Sequence, residues 1–331
     1  MKILTILIFS GDRSSIKYLL DDIVKLKEFN IDIKIVEWTE DKKNLKKKEK
    51  IYGIYKKKIN QLKIFYNFGN WEYKYTKYIN KFKSKYILVI GDDDRINIYN
   101  FKKIYKLLKH NYSGLTISYK NFQQDHQISK YYKDKKYSIR EFDLKNDLKR
   151  IGFTSCQIIR TDLIAEVFKK EKKYLISSKF PQNFIILSII NNFNNWKVSN
   201  LKGIFNRAGS LNIFNLKETK LKHYLNIKKR LRSEYSGYFS PLKKNFPKLN
   251  NYELKEIYKD IFFNNILSWL FVSIKFIGKK KTFDNIKQVR KIIKEPLYIK
   301  FILKFIYLCP IIILDLIRVI RKFSKKLLNT T

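Results

Sequence analysis

The chain has 331 residues, 45% of them hydrophobic and 16% aromatic, which supplies a packed core for one large or two modest domains and excludes wholesale disorder. Ten glycines and five prolines exclude collagen-like, mucin-like and flexible-linker architectures; two distant cysteines (Cys156, Cys309) and three scattered histidines exclude a disulfide framework, a CxxC clip and an HExxH zinc site. The balance of 71 Lys+Arg against 29 Asp+Glu gives +42, a field that attracts phosphate, nucleic acid or anionic lipid. Lysines are nevertheless spread along the whole chain beside abundant Ile, Asn, Tyr and Phe, the residues of AT-rich codons. Composition accounts for much of the excess, and an anionic membrane or ligand is left to account for the remainder.

The first element is ILTILIF (3–9), a short apolar run closing on Ser-Gly-Asp, which predicts a buried strand entering a turn. A signal peptide is the competing reading, but the run is short, has no small-x-small site after it and meets Asp12 almost at once. From Ser14, a suitable N-cap, apolar residues at 16, 19, 20, 23 and 24 recur at helical spacing. IDIKIV (31–36) alternates like a strand. A lysine-rich helix around 50–61 leads to a strand at KIFYNF (63–68), and an aromatic helix around 71–82 leads to a strand at YILVI (86–90). Such alternation predicts βαβ units and a parallel sheet, whose ligands bind beyond the carboxyl ends of the strands.

At that edge stands Gly91-Asp92-Asp93-Asp94. Three adjacent carboxylates repel one another and call for a cation. Hard ions such as Mg²⁺ or Mn²⁺ take oxygen ligands and bridge one or two carboxylates to phosphates. The competing reading is a solvated acidic turn with Asp92 or Asp94 capping a helix. The position, at the end of the fourth strand of a βα alternation, favours the metal and phosphate site.

The segment KSKYILVIGDDDRI resembles the stretch of family 2 glycosyltransferases in which a hydrophobic strand ends in a DxD motif, and residues 1–21 resemble their opening strand, turn and helix. The resemblance implies a GT-A fold: α/β, Rossmann-like, with a mostly parallel central sheet and flanking helices. It also implies sugar transfer from a nucleotide-sugar donor with Mn²⁺ or Mg²⁺. Asp94 would bind the metal, Asp92 would lie near the donor ribose or the metal, and Asp93 takes the variable middle position. In the first turn, Ser10, Asp12 and Arg13 stand where the family contacts the donor, and Glu37 replaces the Asp that usually meets the base.

Downstream, GFTSCQIIRTDL (152–163) is similar to the family's segment beneath the acceptor site. FPQNFIILSII (180–190), WKVSN and FNRAGSLN (205–212) are similar to the end of the catalytic domain in bacterial enzymes that build surface polysaccharides. Arg207 would then face the diphosphate. Two departures stand out: KYTKYINKF replaces an Ala-Arg-Asn-x-Gly-like helix, and Pro181-Gln182 stand where inverting members place the carboxylate base. Glu171 is taken as the base, with Glu166, Asp125 and Asp143 as alternatives.

Beyond residue 216 long helical patterns with basic faces take over: LKHYLNIKKRLR (221–232), residues 251–277, and an apolar run at 301–320 broken by Lys304, Asp315 and Arg318. Its unbroken core, 305–314, is short for a membrane span, which points to an interfacial helix on anionic lipid with Pro310 as a kink. The expected organisation is a catalytic domain at 1–215 and a helical region at 216–331. The whole is expected to be cytoplasmic and peripheral on the cytoplasmic face of a membrane, acting on a saccharide or lipid-linked acceptor, with no nucleic-acid partner. The alternatives are a nucleotidyltransferase, which shares the metal logic, and a non-catalytic basic membrane-associated or nucleic-acid-binding protein.

Overall fold

The structure, a computed structural model, describes residues 2–11, 15–59, 62–67, 71–121, 133–177, 180–206, 240–263, 267, 270–271, 273–274, 278–290, 297–310 and 313. They fall into two compact units, one spanning Met1–Asn215 with Lys244–Phe246 and the other Leu216–Lys243 with Pro247–Thr331.

In the first unit, ILTILIF supplies most of β1 (Leu4–Ser10), whose seven residues are all buried. A strand apolar on both faces belongs in the middle of a parallel sheet covered by helices, and β1 lies there, paired in parallel with β2 (Ile31–Glu37) and β4 (Tyr86–Gly91). Each fully buried Leu or Ile of this strand contributes about 1.5–3 kcal/mol. β3 (Leu62–Tyr66) extends the parallel block beyond β2. The connecting helices are α1 (Ile16–Val24), α2 (Lys42–Lys58) and α3 (Trp71–Ile79). The helix expected around 50–61 thus starts eight residues earlier, because the Asp41 carboxylate caps it, accepting from the backbone N–H of Lys43 at 2.8 Å and of Asn44 at 3.1 Å. The N-cap position of α1 falls on Ser15; Ser14 lies outside the described residues.

The chain then continues through β5 (Arg95–Ile96), α4 (Ile98–Leu107), β6 (Gly114–Asn121), β7 (Ile139–Glu141), α5 (Leu144–Ile151), β8 (Gln157–Arg160), α6 (Thr161–Ser177), α7 (Pro181–Phe193) and β9 (Trp196–Asn206). The sheet order is β3-β2-β1-β4-β8-β6-β9-β5, with β7 on β9. β1, β2, β3, β4, β6 and β9 share one direction, while β5, β7 and β8 oppose it. The reversal at β8 matters for the site, because it brings the start of β8 to the edge where β4 ends. Gly114 and Trp196 lock this half: a Cβ on Gly114 would fall 2.3 Å from the indole, and the Trp196 N–H donates to Thr116 at 2.9 Å. α7 is buried over its first ten residues and starts on Pro181, whose missing N–H costs nothing in a first turn.

A buried ion pair holds the acid run against α1. Arg95 grips Asp22 through two guanidinium N–H groups, at 2.7 and 2.5 Å, and the Ile96 N–H adds a third bond at 3.2 Å. Asp22 is wholly buried, so removing its charge strands a guanidinium in the interior. In the second unit, α8 (Asn251–Ile261), α9 (Lys279–Arg290) and α10 (Leu297–Leu308) are helical, as the pattern beyond residue 216 predicts. α10 ends two residues before Pro310, which disfavours helix at Cys309, so the proline stands past a helix end. Residues 221–232 and all of 314–331 lie outside the described residues.

Two stability outcomes follow. Asp22→Ala lowers the unfolding free energy by about 3–5 kcal/mol, read from the urea midpoint. Burial pushes the Tyr75 phenol up, burial and then Glu37 do the same for Tyr52, and burial raises Tyr86 to about 12. These groups contribute stability that is whole below about pH 10, where unfolded tyrosines are neutral, and that is lost as pH rises toward the folded values. A tyrosinate absorbance titration should therefore show part of the set of 23 tyrosines ionising only with unfolding.

Candidate active site

The acid run sits where the shared-direction strands stop. β1 ends on Ser10 opposite Glu37, the last residue of β2, and Phe9 lies opposite Gly91 at the end of β4. Asp92 continues this pairing, its N–H donating to the Phe9 carbonyl at 3.2 Å. Its carboxylate turns inward: Oδ2 accepts from the Ser10 hydroxyl and the Gly11 N–H, both at 3.0 Å.

Beneath this turn lies Lys48, brought from α2 and 1% exposed. Its ammonium is 3.6 Å from Asp92 Oδ2, 3.4 Å from Glu37 Oε2, 2.6 Å from Ser10 Oγ and 3.0 Å from Thr39 Oγ1, and it donates to the Gly11 carbonyl. One turn further along α2, the Tyr52 hydroxyl donates to Glu37 Oε2, and the Thr39 N–H donates to Oε1 at 2.8 Å. The raised phenol pKa keeps Tyr52 a donor. A single cation thus joins two carboxylates, one from β2 and one beyond β4, beneath the first turn. A buried carboxylate is tolerable only with such pairing and hydrogen bonding.

Asp94 faces a different set. Its Oδ2 accepts from the Ser155 hydroxyl and its Oδ1 from the Asn206 amide at 3.0 Å. Ser155 stands just before β8 and Asn206 closes β9, so the reversed strand and the last strand both deliver neutral donors to this carboxylate. Ser155 also accepts from the Gly91 N–H at 3.3 Å, tying the start of β8 to the end of β4. Asp93 is half-buried between the two. Nearby, burial and then Asp94 push the Cys156 thiol well above its usual range, which leaves it a neutral packing group.

The donor set of the acid run is all oxygen, and among the described residues no group of three or more His, Cys, Asp or Glu is placed to hold a metal. Asp94 is 4% exposed and both its oxygens accept hydrogen bonds, but from neutral donors, so its surroundings suit a hard divalent ion that takes one protein carboxylate and completes its shell with water and phosphate oxygens better than those of Asp92 do. Asp92 fits poorly, because its Oδ2 is engaged by two hydrogen bonds and the Lys48 ammonium, whose charge repels a second cation. The two aspartates expected to share a metal are therefore in different surroundings.

Glu37 also departs from expectation. It is 1% exposed and its two oxygens are taken up by Thr39, Lys48 and Tyr52, so in this structure it anchors the turn from inside. Over the same turn lies Trp38, and a Cβ on Gly11 would fall 2.8 Å from its indole nitrogen, so only glycine lets the backbone pass beneath the ring. The Lys74 ammonium stands 3.8 Å from the Trp38 ring centre.

Of the other expected site residues, Asp12, Arg13, Arg207 and the alternative base Asp125 lie outside the described residues. Glu171 is not brought to the acid cluster. It sits at a non-helical break in α6, pairs with Lys244, and lines a groove of about 260 Å³ with Glu166, Ser188 and Asn191. That groove also reaches Phe193, which precedes the start of β9 at the opposite edge of the sheet. Asp143 caps α5, accepting from the Lys145 N–H at 2.8 Å and the Asn146 N–H at 3.3 Å. Sequence reasoning missed Lys48, which looks like its solvated neighbours in KKKEK. It also passed over Ser155 and Asn206, whose only signal is a neutral donor just before one strand-like run and at the end of another.

No family model and no curated protein matches the chain. The sheet order, the reversed β8 and the acid turn after β4 define a GT-A fold. The crystal structure of S. aureus TarS residues 1–349 matches it with a TM-score of 0.55 at 15% identity, over 88% of this chain and 83% of that one. TarS 1–349 in complex with UDP and with UDP-GlcNAc matches at TM-score 0.48, with 16% and 15% identity, over 88% of this chain and 90% and 91% of those. At such identities the likeness is one of fold.

Lys48→Met should destabilise the chain by about 3–5 kcal/mol in urea unfolding, because the two carboxylates lose the cation between them. The double variant Lys48→Met with Glu37→Gln should recover part of that loss, and a double variant no better than the single one would show that the two side chains are not coupled.

Proposed function

We propose that this chain is a glycosyltransferase that moves a sugar from a nucleotide-sugar donor to a saccharide or lipid-linked acceptor in cell-surface polysaccharide synthesis, with the chemistry confined to residues 1–215. One observation carries the reading. Asp94, a carboxylate held by a hydroxyl and an amide, both neutral donors, stands at the carboxyl edge of a GT-A sheet, where α/β folds bind ligands. The likeness in fold to TarS, a GT-A-type glycosyltransferase, supports it.

In this reading Asp94 holds Mn²⁺ or Mg²⁺, and Ser155 and Asn206 fix the carboxylate through its two oxygens. The bound ion would supply charge neutralisation for a departing nucleoside diphosphate. Asp92 sets the height of the first turn by clamping Ser10 and Gly11, and so positions the backbone around which a donor would sit. Glu171 is not proposed as the base, since its carboxylate pairs with Lys244 in a separate groove.

Calorimetric binding of UDP, GDP, CMP and dTDP, each with and without Mn²⁺, tests the reading on the wild type and on Asp94→Asn. One nucleotide should bind in a metal-dependent way, and the variant should lose at least about tenfold in affinity, about 1.4 kcal/mol. Binding indifferent to metal and to the substitution sinks the proposal, as does metal-dependent binding found only in a parallel titration with CTP, which favours nucleotidyl transfer.

A further inference from the structure

The second unit carries a surface that the catalytic reading does not use. α10 reads LYIKFILKFIYL, with apolar residues on two opposite faces. One face is buried: Ile299, Leu303 and Ile306 are covered, and Tyr307 meets Phe283 of α9 edge-on at 4.9 Å between ring centres. On the other face Leu297, Phe301, Phe305 and Leu308 are 68%, 65%, 58% and 68% exposed. At about 100° per residue these four occupy one sector of about 80°, and Lys300 and Lys304, both exposed, run along its flank. Single exposed apolar residues are ordinary, but a stripe of four large ones on one helix face marks a surface that something covers.

We infer that this face of α10 is a membrane-docking surface that lies in the plane of an anionic lipid bilayer. Twelve residues of helix span about 18 Å, well short of the roughly 30 Å hydrocarbon core, so the helix cannot cross. No helix of the described residues is long and apolar enough to do so. A helix lying in the plane sinks its apolar stripe among the acyl chains and leaves its flanking lysines at headgroup level, where they meet anionic lipid. Charge complementarity selects this occupant over a second copy of the chain. Two stripes facing each other would bring Lys300 and Lys304 of both copies together on chains that each carry +42, whereas an anionic headgroup layer neutralises them. The inference is independent of the sugar-transfer reading.

Sedimentation of the full chain with vesicles tests it. Equimolar phosphatidylglycerol and phosphatidylcholine vesicles should pellet the protein at physiological salt, and phosphatidylcholine alone should bind at least about tenfold more weakly. The pair Phe301→Ser and Phe305→Ser should lose at least about tenfold in binding to anionic vesicles with an unchanged thermal melt, since both side chains face solvent. A second variant, Phe301→Trp, should gain a blue-shifted emission component on those vesicles, which reports burial of that position in lipid whatever the serine pair does. No sedimentation by the wild type, equal sedimentation of wild type and serine pair, or no added blue shift would each overturn the proposal. So would self-association of the wild type that the serine pair abolishes, which would make a second copy the occupant.

Discussion

The buried ammonium of Lys48 is the constraint on which the carboxyl edge of the sheet depends. β1, β2 and β4 end side by side, and each leaves polar groups at an apolar sheet's rim: Ser10 and the Gly11 backbone, Glu37, and Asp92. Water satisfies such groups in an open turn, but here a helix and an indole cover them. Lys48 replaces the water, one side chain reaching both carboxylates, two hydroxyls and a carbonyl. Its flexible stem runs through the core while its charge stays at the one place where two negative charges meet. Tyr52 completes the arrangement from the next turn of the same helix.

With that corner held, the rest of the edge can be assembled by topology. Asp94 meets Ser155 and Asn206 because β8 runs against β4 and β6 while β9 runs with them, so that Ser155 precedes the start of one strand where Asn206 ends another. The Arg95 and Asp22 pair then fixes the chain just past the acid run to α1. The result is a division of labour among three consecutive aspartates. Asp92 is structural, Asp94 is held by neutral donors, and Asp93 lies half-buried between them.

Much of the fold was legible. ILTILIF and YILVI are too short for a buried helix and each runs into a turn signal, which favours strands buried on both faces, and they form β1 and β4. That Ser10 and the acid run share one edge was readable, because sequential βα units must deliver their strand ends there. The residues whose surroundings differ from the sequence reading have a common feature. Glu37 looked like a ligand contact and Lys48 like one more solvated lysine, yet each is buried against the other. Glu171 is the nearest carboxylate upstream of Pro181 in sequence, whereas its place along α6 puts it in a different groove.

The chain's order of apolar runs, breaks and charges by itself determined the alternation of strands and helices, the position of the acid turn after the fourth strand, and the apolar, lysine-flanked character of α10. Those properties are local, set by side-chain periodicity and backbone preference over a few turns. Only the tertiary structure decided which charges are paired inside, which aspartate meets a cation and which meets neutral donors, and which face of α10 is covered. Each of those depends on residues between about ten and more than a hundred positions apart, as Lys48 is from Asp92 and Asp94 from Asn206, and on the burial that makes an ion pair obligatory in one place and negligible in another.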